Sequence, residues 1–242
     1  MEDVDLSEID TRKLGIYYLD ETQNQWVYLG GSYNAQTGLV QVETSHFTKF
    51  SVAEFDRSFT DANSSWAREY IEILAARHIT KGINEENFGV GRMLSRAEFA
   101  TFLVRAMGID TGEYKGSFED CKDGAWYTPY VEAAYREGLV KGKGNGRFGP
   151  DSVTTREEMA VLLMRAYRFL AGEMADNQSL KQIVDFRDMD RVSVWATDSV
   201  KTAQRLGLIS GKPDGSFKPK DTVLREEAAK ILIVLLELAG EM

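Results

Sequence analysis

One cysteine, Cys121, and two histidines, His46 and His78, are all that 242 residues offer of the side chains that hold metals, form disulfides or shuttle protons. A lone thiol excludes an intrachain disulfide, a cysteine-rich zinc site and a dithiol redox motif. The two histidines argue against a histidine-based metal site or catalytic triad. The scarcity of thiols does not fix the compartment, because many secreted proteins do without disulfides. Positive charge is also short: 29 Lys and Arg stand against 38 Asp and Glu, a formal net charge of -9. That argues against a general nucleic-acid binder, which needs a broad basic surface to neutralise phosphates. Any anion bound here must be met by local cations. No apolar run approaches the roughly 18 residues a membrane span requires. The start, Met1 to Asp5, is acidic rather than basic and then apolar, so no secretory address is expected.

What is present is a chain with 43% hydrophobic residues, enough for real cores in one large or two modest domains. Its acidity is uneven. Residues 1–57 hold ten acidic against four basic side chains and so supply -6 of the -9. From Leu14 to Phe55 the segments LGIYYL, QWVYLG, GLVQVET and HFTKFSVAEF alternate with period two and are rich in β-branched and aromatic residues. That pattern predicts three or four antiparallel strands, a small β-meander. Such a meander is a poor independent domain. It is expected either to be part of a larger β-domain or to pack on the rest of the chain.

After Asp56 the period becomes that of a helix, and the chain repeats. A tryptophan is followed sixteen residues later by Gly, twenty-two by Phe, thirty by Arg and thirty-two by Glu. The sets are Trp66, Gly82, Phe88, Arg96, Glu98; Trp126, Gly142, Phe148, Arg156, Glu158; and Trp195, Gly211, Phe217, Arg225, Glu227. This is a tandem-repeat protein. Each unit reads as helix, loop, helix, with one face carrying, in the first, Trp66, Tyr70, Ile73 and Leu74 and then Phe99, Phe102 and Leu103. One such hairpin exposes too much apolar surface alone, so the three must share a core. The units are spaced by 60 and then 69 residues, and the extra nine are assigned to a surface connection within Gly172–Asp185. The expected fold class is mainly α, three helix-loop-helix repeats after a small antiparallel β-meander. The expected boundaries are 1–57, 58–116, 117–185 and 186–242.

The second helix of the first two units opens with a capping box, SRAE at Ser95–Glu98 and TREE at Thr155–Glu158. The third has LREE at Leu224–Glu227, whose missing hydroxyl implies a weaker start or an earlier one near Asp221 or Thr222. The arginines are harder to explain. Arg96, Arg156 and Arg225 sit at the positive end of a helix dipole, where a cation is disfavoured by about 0.3–1 kcal/mol. Either each pairs with Asp61, Asp120 or Asp188, or each forms, with free helix amides, a seat for a carboxylate or phosphate. In the second case replacing Arg156 by Ala would leave the fold intact. Gly82, Gly142 and Gly211, each preceded by Lys81, Lys141 or Ser210, supply positive φ for a turn or let a ligand approach backbone. Trp66, Trp126 and Trp195 either belong to the core or stack on sugar faces. Phe88, Phe148 and Phe217 belong to the core. The loops KGKGNGRFGPDS and SGKPDGSFKPKDT have too few acidic side chains, among lysines, for a calcium cage. No nucleophile–base pair recurs, so the residues point to no enzyme, no metal and no cofactor.

These units closely resemble S-layer homology domains. The aromatic-x-Asp start, the Trp, the Gly-x-x-x-Gly-x-Phe-x-Pro loop and the T-R-A-E-like helix start occur together between about Ser58 and Leu238. The resemblance implies a pseudo-threefold, three-pronged bundle with the first helices at its centre and grooves between prongs. It implies non-covalent anchoring to secondary cell wall polysaccharide, commonly ending in a pyruvylated sugar, outside the cell in the cell wall or S-layer. Carried over, Arg96, Arg156 and Arg225 would hold the pyruvyl carboxylate, and backbone at Gly82, Gly142 and Gly211 would meet sugar. Val90 stands where the other loops have Pro150 and Pro219, a departure expected to distort the first loop. The competing reading is a self-assembling lattice or protein-interaction scaffold.

Overall fold

A computed structural model of the chain describes residues 8–42, 44, 48–172 and 185–242. The connection expected within Gly172–Asp185 lies almost wholly outside the described residues, as does His46. The chain divides into two compact units, residues 1–90 with 236–242, and residues 91–235.

The first unit begins with strands β1 (Leu14–Asp20), β2 (Gln25–Gly30), β3 (Ser32–Asn34), β4 (Leu39–Gln41) and β5 (Phe50–Glu54). The alternating segments are strands, as expected, but they do not form a meander. β1 is the centre of a three-stranded antiparallel sheet in the order β2-β1-β5, while β3 and β4 pair with each other. Leu19 faces Trp26 across one ladder and Tyr18 faces Phe50 across the other. Alternation assigns residues to a face; it does not say which strand lies beside which.

Helix α1 (Arg68–Ala76) buries Ile71, Ile73, Leu74, Ala75 and Ala76. Two residues past its end, beyond the cap residue Arg77, His78 takes a left-handed φ of 55°. The imidazole stacks on Tyr28 at 4.5 Å and tilts against Phe55 at 4.9 Å, and its Nε2 lies 3.3 Å from the Tyr17 hydroxyl. Ion pairs from Lys13 to Asp56 (3.1 Å) and Glu72 (3.4 Å), and from Arg12 to Glu69, tie the start of β1 to α1. The sheet therefore packs on the first repeat helix through an aromatic cluster with a titratable centre.

Burial in that cluster, with Lys81 and Arg57 nearby, pulls the His78 imidazole below its ordinary value. A base held below its unfolded value contributes stability that is complete above about pH 6.5 and falls as the pH drops from there toward the folded value. The melting temperature, followed by tyrosine near-UV dichroism, is thus expected to fall between pH 7 and pH 5. His78→Asn, which tolerates the left-handed backbone, should remove most of that slope.

The second unit holds α2 (Arg96–Ala106), α3 (Thr128–Arg136), α4 (Arg156–Ala171) and α5 (Thr197–Arg205), and α6 (Arg225–Ala239) up to residue 235. α2 packs on α3 and α4 on α5, so the second helix of one repeat lies on the first helix of the next. Ser95 and Thr155 each complete a capping box with Glu98 and Glu158. In the third repeat half of the box survives: the Leu224 amide donates to Glu227 at 3.0 Å, and α6 starts at Arg225, not near Asp221.

The loop of each repeat is closed by its aromatic-x-Asp start. In the second unit Asp120 accepts from the amides of Phe148 and Gly149 (both 2.8 Å), and Asp188 from those of Phe217 (2.7 Å) and Lys218 (2.8 Å). In the first unit Asp61 accepts from Phe88, Gly89 and Val90 at 2.7–2.9 Å. Burial would raise the Asp61 and Asp120 carboxyls, but these amides outweigh it and hold both below the usual carboxylate range. Phe88, Phe148 and Phe217 are fully buried, as expected, each contributing about 2 kcal/mol.

A ring of backbone bonds links the three repeats ahead of their second helices. The Leu94 amide donates to Val223 (2.8 Å), the Val223 amide to Thr154 (3.0 Å), and the Thr154 amide to Leu94 (2.9 Å). Buried donors and acceptors must be paired, and here they pair only if all three repeats are present. Leu94 and Val223 bury apolar side chains at this ring, whereas the Thr154 hydroxyl is buried without a partner among the described residues. Thr154→Val should therefore stabilise the chain by about 1 kcal/mol, read as a rise in the urea midpoint with unchanged slope.

Candidate functional site

Arg96, Arg156 and Arg225 occupy the first position of α2, α4 and α6. They are 6%, 6% and 3% exposed. Each reaches out of its own repeat. Arg96 Nε donates to the Phe148 carbonyl and Nη2 to the Lys141 carbonyl, both at 3.1 Å, and its guanidinium lies 4.8 Å over the Phe148 ring. Arg156 repeats this on the third unit, donating to Phe217 (2.7 Å) and Ser210 (3.0 Å) and lying 5.0 Å over the Phe217 ring. Arg225 Nη1 donates to Glu98 at 2.6 Å and lies 5.2 Å over the Phe102 ring.

The expected pairing with Asp61, Asp120 or Asp188 is not what these bonds show. Those carboxylates hold loop amides, while the arginines bind carbonyls and the capping glutamates of another repeat. Arg96 Nη1 stands 3.6 Å from Glu158, which Lys143 also approaches at 3.4 Å. Burial would raise the Glu158 carboxyl, but the Thr155 amide, Lys143 and Arg96 bring it below the usual value. Desolvation lowers the Arg96 and Arg156 guanidiniums, with Glu158 and Glu227 respectively opposing it; at neutral pH both remain cations.

Beside Arg96 lies a cavity of about 710 Å³. Lys141, Gly142 and Lys143 form one wall. α4 supplies Glu158, Val161, Leu162 and Arg165, and Trp195 completes the lining. One pocket thus takes Arg96 from the first repeat, a loop and a helix from the second and a tryptophan from the third. It offers several cations, an apolar floor and an exposed aromatic face, a combination suited to a glycan bearing acid groups.

A family model for the S-layer homology domain matches the chain three times, over residues 58–100, 117–160 and 185–229. The chain belongs to the S-layer homology domain family. It is 37% identical to an amylopullulanase of Thermoanaerobacterium thermosulfurigenes over 96% of its own length and 12% of that protein's. It is 34% identical to the exoglucanase XynX of Acetivibrio thermocellus over 94% of the chain and 20% of that protein. With the S-layer protein sap of Bacillus anthracis it shares 32% over 75% of the chain and 21% of that protein. The chain thus spans about a fifth or less of these relatives. The S-layer homology domain is a non-catalytic anchoring module, and this kinship places the chain at the cell surface, in the cell wall. No helix of the described residues is long and apolar enough to cross a membrane.

The S-layer homology repeats correct several expectations about single residues. Trp66, Trp126 and Trp195 are 60%, 58% and 59% exposed and precede the first helices, so they are not core. Gly82 has the positive φ a turn requires, 79°, but Gly142 and Gly211 do not. All three are excluded from carrying a side chain by close packing. A Cβ would fall 2.5 Å from Phe59 at Gly82, 2.9 Å from Phe118 at Gly142 and 2.8 Å from Phe186 at Gly211. Lys81, Lys141 and Ser210 are exposed as side chains. Their carbonyls accept from arginines, in the case of Lys81 from Arg57 at 3.3 Å. Lys143 and Arg165 were not singled out by the repeat, and Glu158 was read from it only as a helix cap. The signal for the α4 stripe was there in the helical i, i+3, i+4, i+7 spacing of Glu158, Val161, Leu162 and Arg165.

Because Arg156 carries interrepeat bonds, Arg156→Ala is expected to lower stability as well as binding. Removing Arg96 or Arg156 strands two carbonyls of the next repeat and should cost about 3 kcal/mol. Trp195→Ala should change stability by no more than about 0.5 kcal/mol. Chemical denaturation of the three variants beside the parent chain checks both statements.

Proposed function

We propose that this chain is a non-catalytic anchor that holds a surface protein to the cell wall by binding anionic, pyruvylated secondary cell wall polysaccharide in grooves between its repeats. The observation that carries this reading is the cavity built from all three repeats, where cations stand beside an exposed tryptophan over apolar helix residues. In it Trp195 stacks on a sugar ring, the Lys141–Gly142 backbone borders the sugar, and the remaining Arg96 donors face the carboxylate. Arg156, with Gly211 and Ser210, does the same for a second sugar, and Arg225, Gly82, Lys81, Trp66 and Trp126 belong to the same set of ligand-binding residues. The repeats, taken as 58–116, 117–185 and 186–242 after a β-module at 1–57, adopt a pseudo-threefold, three-pronged bundle. The closed ring of Leu94, Thr154 and Val223 amides supports that arrangement.

Modest affinity per groove is raised by multivalent engagement of one polymer. A second reading, a self-assembling surface lattice, draws on relatives named as S-layer proteins. Sedimentation of the chain alone at rising concentration separates it from the anchor, which stays a fixed small species. For the anchor, Trp195→Ala should weaken retention on purified pyruvylated wall polysaccharide by about tenfold, the equivalent of roughly 1.4 kcal/mol, at an unchanged melting temperature. Equal retention of parent and variant would count against the groove, and equal retention on native and depyruvylated polymer against the anionic ligand.

A further inference from the structure

The groove contains two guanidinium groups with different surroundings. Arg96 is held by two carbonyls and faces Glu158. Arg165 lies two turns further along α4 than Glu158, about 10 Å along the helix axis. Its one hydrogen bond is a long one, Nη1 to the Leu139 carbonyl at 3.4 Å, and no described carboxylate pairs with it. The two cations are close enough for Arg165 to oppose the charge on Arg96. Partly buried like charges are unfavourable; Arg96 has Glu158 opposite it, and an anion entering the groove would supply the counter-ion that Arg165 lacks among the described residues.

The equivalent positions of the other repeats differ. Arg105 on α2 lies 4.6 Å over the Tyr130 ring and donates to its hydroxyl at 3.0 Å, and on α6 the place is taken by Val234. Only α4, of these three helices, turns an arginine at this position into the cavity.

Resting on the anionic-glycan reading above, we propose that Arg165 is a specificity-determining residue of this groove, a second anion seat that receives an acidic substituent of the bound polysaccharide. The groove selects acidic over neutral glycan through it, and it makes this groove unequal to the other two. A guanidinium can grip a carboxylate through two parallel bonds. Arg165 has the spare donors to do so, since a single one is engaged.

The test measures binding of the full chain and of Arg165→Gln and Arg165→Lys to pyruvylated wall polysaccharide, and to the same polymer after mild acid removal of its pyruvate, at low and high salt. Arg165→Gln is expected to lose about tenfold on the pyruvylated polymer and to show a shallower salt dependence. Arg165→Lys should restore part of the affinity, and the parent and Gln variant should bind the depyruvylated polymer alike. If Arg165→Gln, with an unchanged melting temperature, matches the parent in affinity and salt slope on the pyruvylated polymer, Arg165 is only a packing residue and the inference fails while the anchor stands. If Arg165→Gln loses equally on both polymers, the seat is not an anion seat. If the parent chain does not distinguish the two polymers, the anionic-glycan reading falls and the seat with it.

Discussion

The structure depends on an arginine placed where its own helix disfavours it. At the first position of α2 and α4 the dipole opposes a cation by about 0.3–1 kcal/mol, and local stability gives no reason for the choice. The reason is tertiary. Each of these guanidiniums makes two hydrogen bonds to carbonyls of the next repeat, and a hydrogen bond to a charged group contributes about 1.5–3 kcal/mol. Two such bonds outweigh the dipole term. The same bonds fix the loop that presents its carbonyls, so repeat joining and groove shape come from one interaction.

That loop is held from its own side as well. The aspartate of the aromatic-x-Asp start gathers the amide of the buried phenylalanine and the one after it, which leaves the phenylalanine carbonyl to the arginine. The aromatic two residues earlier presses on the loop glycine so closely that no Cβ fits at Gly142 or Gly211. Arginine, aspartate, phenylalanine and glycine therefore form a single mechanical unit. Their shared spacing follows from it without any ligand, which is why the repeat alone does not separate a structural from a binding role for the arginine.

The repeats, the helix pairs, the capping boxes and the buried phenylalanines were legible because each is a local pattern: a fixed spacing, a 3.6-residue period, a hydroxyl three residues before a glutamate. What escaped the sequence was relational. Spacing says that Arg96 and Phe148 belong to repeats, not that they meet. Period-two alternation placed Leu19 and Phe50 in strands, not β5 beside β1. Trp66, Trp126 and Trp195 lie on the helical period yet stand just before the helix proper and are exposed, so period alone could not decide between a core and a sugar-stacking role. Arg165 was hidden differently: it sits outside the shared spacing, and a search for what repeats passes over the residue that makes one repeat unlike the rest.

Departures from the repeat also show how the fold absorbs variation. Val90 and Gly91 stand where the other loops have a proline and then Asp151 or Lys220, a change that read as a distortion. In the second and third loops the carbonyls of Pro150 and Pro219 receive the amides of Ala97 and Glu157, and Lys220 reaches the Glu157 carboxylate. At the first loop the Gly91 amide itself donates to both oxygens of Glu226, at 3.1 and 3.0 Å. A backbone donor has replaced a side-chain one at the same kind of buried carboxylate, at a glycine whose φ of 79° lies in the left-handed region. The loop is retained by a different bond, so divergence among the three repeats has to be sought in the side chains of their second helices, Arg165 lining the cavity where the others have Arg105 and Val234, rather than in the integrity of the loops behind them.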